Sequence, residues 1–257
     1  MRVLTELIDL VLPAGCVCCD RPGTVWCAGC RPASRPVQLG QPAIPAGFAA
    51  GEYADELRTS LLAYKERGRR QLAELLAGYL ADAVDCAVRA AETGARPVLL
   101  PVPSSRAAAR SRGGDHMWRL ARLVARQADL PLLAGLRLRG PVSDSAGLSV
   151  EQRRQNLAGR LVAVAPPERS GWRPILIDDI CTTGATLAEA GRALAGAGWP
   201  PAGAAVIAAT RLRAGRRWRP VESGATDRPE KALVGRGVCQ LRDTPTGQIR
   251  DKGLAFI

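Results

Sequence analysis

The sequence predicts an α/β fold, a parallel sheet flanked by helices, with a small four-cysteine module ahead of it. Three observations predict it. Short apolar runs at Val98, Leu99, Leu100 and Val102, and at Ile175, Leu176 and Ile177, give way abruptly to polar residues, as buried strands of a sheet covered on both faces do. Apolar residues at helical spacing separate these runs. Cys16 and Cys19 form one C-x-x-C pair and Cys27 and Cys30 another, with seven residues between the pairs. A chain of 257 residues is long enough for one α/β domain with its own core and a small appendage.

Near the start, Val3, Leu4, Leu7, Ile8 and Val11 recur at the spacing of an amphipathic helix. Glu6 and Asp9 interrupt that stretch, which argues against a lipoprotein signal ending at Cys16. No apolar run approaches the roughly 18 residues of a membrane span, so a soluble, cytoplasmic protein is expected. The spacing of Cys16, Cys19, Cys27 and Cys30 suits one tetrahedral structural zinc, because two tight knuckles bring four soft thiolates around one ion. Disulfides or redox C-x-x-C pairs are the alternative, and they need an oxidising compartment of which the sequence gives no sign. Cys18 is a fifth thiol beside the four. Pro32, Pro36, Pro42 and Pro45 give residues 32–47 a linker composition, closing a first module at 1–47.

From 55 to about 92, Leu57, Leu61, Leu62, Leu72, Leu75, Leu76, Tyr79, Leu80 and Val84 predict two helices broken near Gly68. Lys65 lies at that break and reads as a solvated charge. The strand at Val98 runs into Ser104, Ser105 and Arg106, followed by Arg110 and Arg112, hydroxyls and guanidinium groups that suit a phosphate. A basic loop capping the helix of Leu120, Leu123 and Val124 is the alternative. His116, the only histidine, reads as a structural or surface residue rather than a general base. Residues 139–156 form a predicted loop of the length that often closes over reactive substrates.

The segment from Ile175 carries the most chemistry. Asp178 and Asp179 fall where the strand is predicted to end, and ligands bind at the carboxyl ends of parallel strands. Carboxylates only accept hydrogen bonds, so the pair suits the vicinal hydroxyls of a sugar and repels phosphate. Thr182, Thr183, Gly184, Ala185 and Thr186 then offer three hydroxyls and a run of backbone N–H groups at a helix start, an anion site. The plainer alternative is a capped helix. A P-loop is excluded for want of its lysine. Leu187, Ala190 and Leu194 continue as a helix, Gly196 and Gly198 are placed to end it, and a strand follows at 206–210. Cys181 reads as a small apolar filler, although a helix N-terminus can also lower a thiol's pKa.

These residues resemble the type I phosphoribosyltransferases, whose signature is an apolar strand, two acids and a TTGAT-like loop holding 5-phosphoribosyl 1-diphosphate. The resemblance implies a type I phosphoribosyltransferase-like fold over 48–212. It places the ribose hydroxyls on Asp178 and Asp179, the 5′-phosphate on residues 182–186, and the diphosphate with Mg2+ near Ser104, Ser105 and Arg106, and it gives Lys65 a phosphate contact as the alternative to a solvated charge. Together with the cysteine module, Arg112-Gly113, Gly147-Leu148-Ser149 and Asn156, the chain is similar to the ComF family of competence-associated proteins. Gly114, Asp115 and His116 depart from that family's usual apolar residue, asparagine and glutamine. The resemblance implies a part in DNA uptake during natural transformation, beside a helicase. Net charge is +12 at pH 7, and only Lys65, Lys231 and Lys252 among 36 basic residues are lysines. Such a surplus favours anionic partners, and a non-catalytic adaptor for single-stranded DNA or protein is the alternative function. Residues 213–257 are basic, lack periodicity and read as a disordered tail.

Overall fold

A computed structural model describes residues 15–40, 44, 46–91, 96–104, 114–140, 157–164 and 171–210, with the backbone of 219–220. In chain order the elements are β1 (Val37–Gln38), β2 (Ala46–Glu52), α1 (Asp55–Glu66), α2 (Ala73–Ala90), β3 (Arg96–Pro101), α3 (His116–Ala128), β4 (Leu136–Leu138), β5 (Leu161–Ala163), β6 (Trp172–Cys181), α4 (Ala185–Gly196), β7 (Gly203–Ala209) and β8 (Arg219–Pro220). Six strands form one sheet in the order β3-β6-β7-β2-β1-β8. The first four are parallel, and β1 and β8 are antiparallel additions at one edge. β4 and β5 form a separate antiparallel pair.

Both faces of the sheet are covered, which is why its central strands read as continuous apolar runs. Ile175, Ile177, Ala205 and Ile207 pack on one face against Leu61 of α1, Leu76 and Leu80 of α2, and Leu120 and Val124 of α3. Leu176, Ala204 and Val206 pack on the other against Leu187, Ala190 and Leu194 of α4, and against Leu136 and Leu161. Helix α4 ends as its glycines predict. Gly198 takes φ 74°, Trp199 N–H donates to Leu194 C=O at 2.9 Å and Gly198 N–H to Ala195 C=O at 3.0 Å, the paired bonds of a Schellman stop.

The connections leaving β3 and β6 diverge. From β3 the chain passes through α3 to Leu132, which pairs in parallel with Leu99 on the outer side of β3. From β6 it passes through α4, on the opposite face, to β7 on the other side. Two right-handed crossovers running in opposite directions require opposite faces. The reversal places a topological switch point between the carboxyl ends of β3 and β6, where open α/β sheets have the crevice that binds ligands.

The cysteine segment packs into the same core as the sheet. Cys16, Trp26 and Cys27 belong to the buried cluster that holds α1 and α2. Arg69 Nη2 donates to Gly15 C=O at 3.0 Å, and the Tyr79 hydroxyl donates to Pro32 C=O. Residues 32–47, read from sequence as a linker, contribute β1 and the first residues of β2, because the prolines flank β1 instead of interrupting it. The two helices break at Gly68, whose φ is 65°. The predicted N-terminal helix, the 141–156 part of the predicted loop, and most of the 213–257 tail lie outside the described residues; within that tail, Arg219–Pro220 pairs with β1.

Candidate functional site

Strand β6 runs two residues beyond the acids expected to end it, to Cys181. Asp178 and Asp179 therefore lie within the last turn of pleat and point to opposite faces. Asp179 is 6 % exposed and lies on the face of α1 and α3. Its Oδ2 accepts from Lys65 Nζ at 2.9 Å and from His116 Nε2 at 2.6 Å. Burial opposes its ionisation, but the Lys65 ammonium and the His116 hydrogen bond outweigh burial and hold the carboxyl well below the usual carboxylate range. Asp178 retains partial exposure, and its Oδ1 accepts the Asp179 N–H at 2.9 Å. Desolvation, then the neighbouring Asp179 charge, push its carboxyl up to about 8, and its residual solvent access tempers that effect.

The expectation of a solvated Lys65 gives way to a half-buried ion pair, and His116 is a buried partner of an acid. Helix geometry places both. Tyr64, beside Lys65 on α1, donates its hydroxyl to the His116 C=O at 3.1 Å. Asp115 caps α3, accepting from Met117 N–H at 3.0 Å and Trp118 N–H at 3.1 Å. The start of α3 is thus fixed from two sides. A compositional signal was present: Lys65 is the only lysine before residue 231 in a chain that otherwise uses arginine, and His116 is its only histidine.

Beyond β6, Thr182 and Thr183 lead to Gly184, whose φ of 76° turns the chain into α4. Ala185 N–H donates to Thr183 Oγ1 at 3.3 Å, and Thr210 Oγ1 donates to Thr182 C=O at 2.9 Å, tying the turn to the end of β7. Thr186 lies in the first turn of α4. A left-handed glycine followed by a helix start presents successive N–H groups, the geometry that binds anions. Ser104 follows β3 at the adjacent strand end, whereas Ser105 and Arg106 lie outside the described residues. Cys181 is the buried filler: burial pushes its thiol up to about 12. A cavity of about 570 Å3 lies two strands from β6, lined by Arg35, Glu52, Glu56 and Tyr79 among others, and is distinct from this crevice.

Residues 119–232 match the phosphoribosyl transferase domain family. The phosphoribosyltransferase match begins within α3 and contains β6, the 182–186 turn, α4 and β7. It includes both aspartates, while Lys65 and His116, the cationic and hydrogen-bonding partners of Asp179, lie upstream of it. Comparison with curated proteins yields no match.

At the other end of the domain, the ligand atoms of Cys16, Cys19, Cys27 and Cys30 lie within 4.8 Å of one another. Cys19 Sγ and Cys27 Sγ are 3.7 Å apart. A tetrahedral ion with ligands at about 2.3 Å sets its sulfurs about 3.8 Å apart, so the group fits a metal such as zinc. Burial opposes ionisation of Cys16, but the Cys27 backbone N–H and its neighbours outweigh it and bring the thiol down to about 6. Cys18 is outside the group, and burial raises its thiol to about 11. No helix among the described residues is long and apolar enough to cross a membrane.

Proposed function

We propose that the protein is a ComF-type phosphoribosyltransferase that binds 5-phosphoribosyl 1-diphosphate with magnesium in the crevice between β3 and β6, and holds a structural zinc on Cys16, Cys19, Cys27 and Cys30. One observation carries the reading: at a topological switch point, a single strand end presents two carboxylates and then a left-handed glycine turn opening a helix. The acids suit ribose hydroxyls and the turn suits the 5′-phosphate, so the two halves of the ligand meet opposite chemistry. Ser104, with Ser105 and Arg106 after it, is assigned to the diphosphate end.

Transfer breaks the anomeric C–O bond to diphosphate while an acceptor nucleophile forms a bond to the same carbon. The transition state carries positive charge on the ribose and growing negative charge on the departing diphosphate. The acidic end of β6 holds the sugar in one orientation, and the turn's amides hold its far end, so catalysis comes from position and charge without a covalent nucleophile. Magnesium, when bound, neutralises charge on the leaving diphosphate.

Calorimetric titration with magnesium and phosphoribosyl diphosphate tests the reading, with diphosphate release measured across nucleobase and amine acceptors. Binding that is lost in the Asp178→Ala, Asp179→Ala double variant is the expected result. Equal binding by wild type and double variant sinks the assignment. The +12 net charge favours a second reading, an adaptor for single-stranded DNA in competence. Salt-sensitive DNA binding that survives the double variant, with no phosphoribosyl diphosphate binding, supports that reading instead.

A further inference from the structure

Asp178 and Asp179 are neighbours in sequence with different surroundings. Asp179 is buried, and one of its oxygens receives donors from two helices, Lys65 Nζ of α1 at 2.9 Å and His116 Nε2 of α3 at 2.6 Å. An ionised carboxylate only accepts, so Nε2 is the nitrogen that carries hydrogen. His116 Nδ1 is buried with no hydrogen-bond partner among the described residues, so the ring's polar contact there is to Asp179 alone. Tyr64 and Asp115 fix the backbone from which the ring projects. Asp178, by contrast, keeps solvent access at the crevice end of the same strand. A side chain already held by two donors has little freedom to rearrange around a ligand, whereas a partly exposed one can meet it directly.

We propose that Lys65 and His116 are positioning residues: they lock Asp179 as a buried anionic support behind the site, and Asp178 is the carboxylate that meets the ribose hydroxyls. This division of labour rests on the phosphoribosyl diphosphate reading. It assigns a role to two residues that lie outside the family match. A glutamine at position 116 can present an amide N–H near the place of Nε2, whereas alanine cannot.

Two measurements test it. Calorimetry with magnesium and phosphoribosyl diphosphate compares wild type with Asp178→Asn, Asp179→Asn, Lys65→Met, His116→Ala and His116→Gln. Loss of a hydrogen bond to a charged group corresponds to roughly tenfold or more in affinity. Asp178→Asn shows that loss with no lowering of the unfolding midpoint. His116→Ala and Lys65→Met show it with a lowered midpoint, and His116→Gln restores most of the affinity. The second measurement is nitrogen NMR of the single imidazole, which reads the tautomer without any ligand. Protonated Nε2, with a signal that moves in Asp179→Asn and stays in place in Asp178→Asn, is expected. Wild-type affinity in both His116→Ala and Lys65→Met overturns the proposal, as does an unprotonated Nε2 in the wild-type protein. Should the alanine and methionine variants fail to fold, the glutamine variant and the tautomer still decide it. A wild-type protein that binds no phosphoribosyl diphosphate overturns the functional reading and the role given to Asp178, while the imidazole signal separately decides whether Asp179 is held.

Discussion

Trp26 stacks on Tyr79 with ring centroids 5.7 Å apart and planes 24° from parallel. One ring lies between the two cysteine pairs and the other on α2, against the main sheet. The indole Nε1–H donates to Cys30 C=O at 3.0 Å, so the same side chain ties a metal-ligand candidate to the core. The knuckle and the sheet therefore share buried surface.

Removing the zinc proposed for the four cysteines is expected to lower the unfolding midpoint of the whole domain in one transition, because binding energy at a structural site is folding energy. Metal analysis and calorimetry on wild type and on Cys27→Ala, Cys30→Ala check this. One zinc per chain and a single shifted transition are expected, as against a separate early transition with the main one unmoved. Trp26→Ala is expected to cost about 3–5 kcal/mol, the range for deleting a buried aromatic side chain.

Lys65→Met leaves Asp179 buried without its cation and is expected to cost about 3–5 kcal/mol at neutral pH. The sign with pH follows from the depressed folded-state pKa of Asp179. Its stabilising contribution is fully present above the unfolded value of about 3.9 and is lost as pH falls through the folded one. Urea unfolding at pH 7 and at pH 3.5 should show the gap between wild type and variant narrowing in acid. A gap independent of pH removes Asp179 as its source.

Asp178 has the opposite linkage. Its folded-state value is raised to about 8, so between roughly pH 4 and 8 the native chain retains a proton that the unfolded chain releases. Its contribution therefore becomes more destabilising as pH rises through that window. Asp178→Asn is expected to match or exceed wild-type stability at pH 8, with the advantage shrinking toward pH 5, while the affinity for the proposed ligand falls. Thermal midpoints across pH 5–9 check the slope. A variant less stable than wild type at pH 8 contradicts it.

Gly203 faces β2 so closely that an added Cβ would lie 2.7 Å from the Ala46 carbonyl oxygen. Backbone cannot rotate out of the way as a side-chain tip can. Gly203→Ala is expected to cost about 1–3 kcal/mol by forcing β2 and β7 apart. Gly196→Ala, where an added Cβ meets nothing within 4 Å, serves as the control and should be near neutral in the same denaturant titration.

Much of this was legible in sequence because it is local. The apolar run at Ile175 announced β6, the break at Gly68 separated α1 from α2, and the two C-x-x-C pairs announced a four-sulfur group. β2 escaped because Ala46–Glu52 is built of alanine and glycine apart from one phenylalanine and the terminal glutamate, mostly small residues in close contact with β7 and carrying no β-branched signal. β4 and β5 escaped because three-residue strands give too few positions for a period to show.

The sequence by itself determined where the acids, the threonine-glycine turn and the sulfurs stand along the chain, since strand alternation, glycine geometry and metal-ligand spacing each act over a few residues. Only the tertiary structure decided that Asp178 and Asp179 differ. Asp179's partners come from residue 65 and residue 116, brought together by helix packing on one face of the sheet. No local pattern encodes which distant donor will neutralise a buried charge, and that neutralisation sets what each carboxylate is able to do.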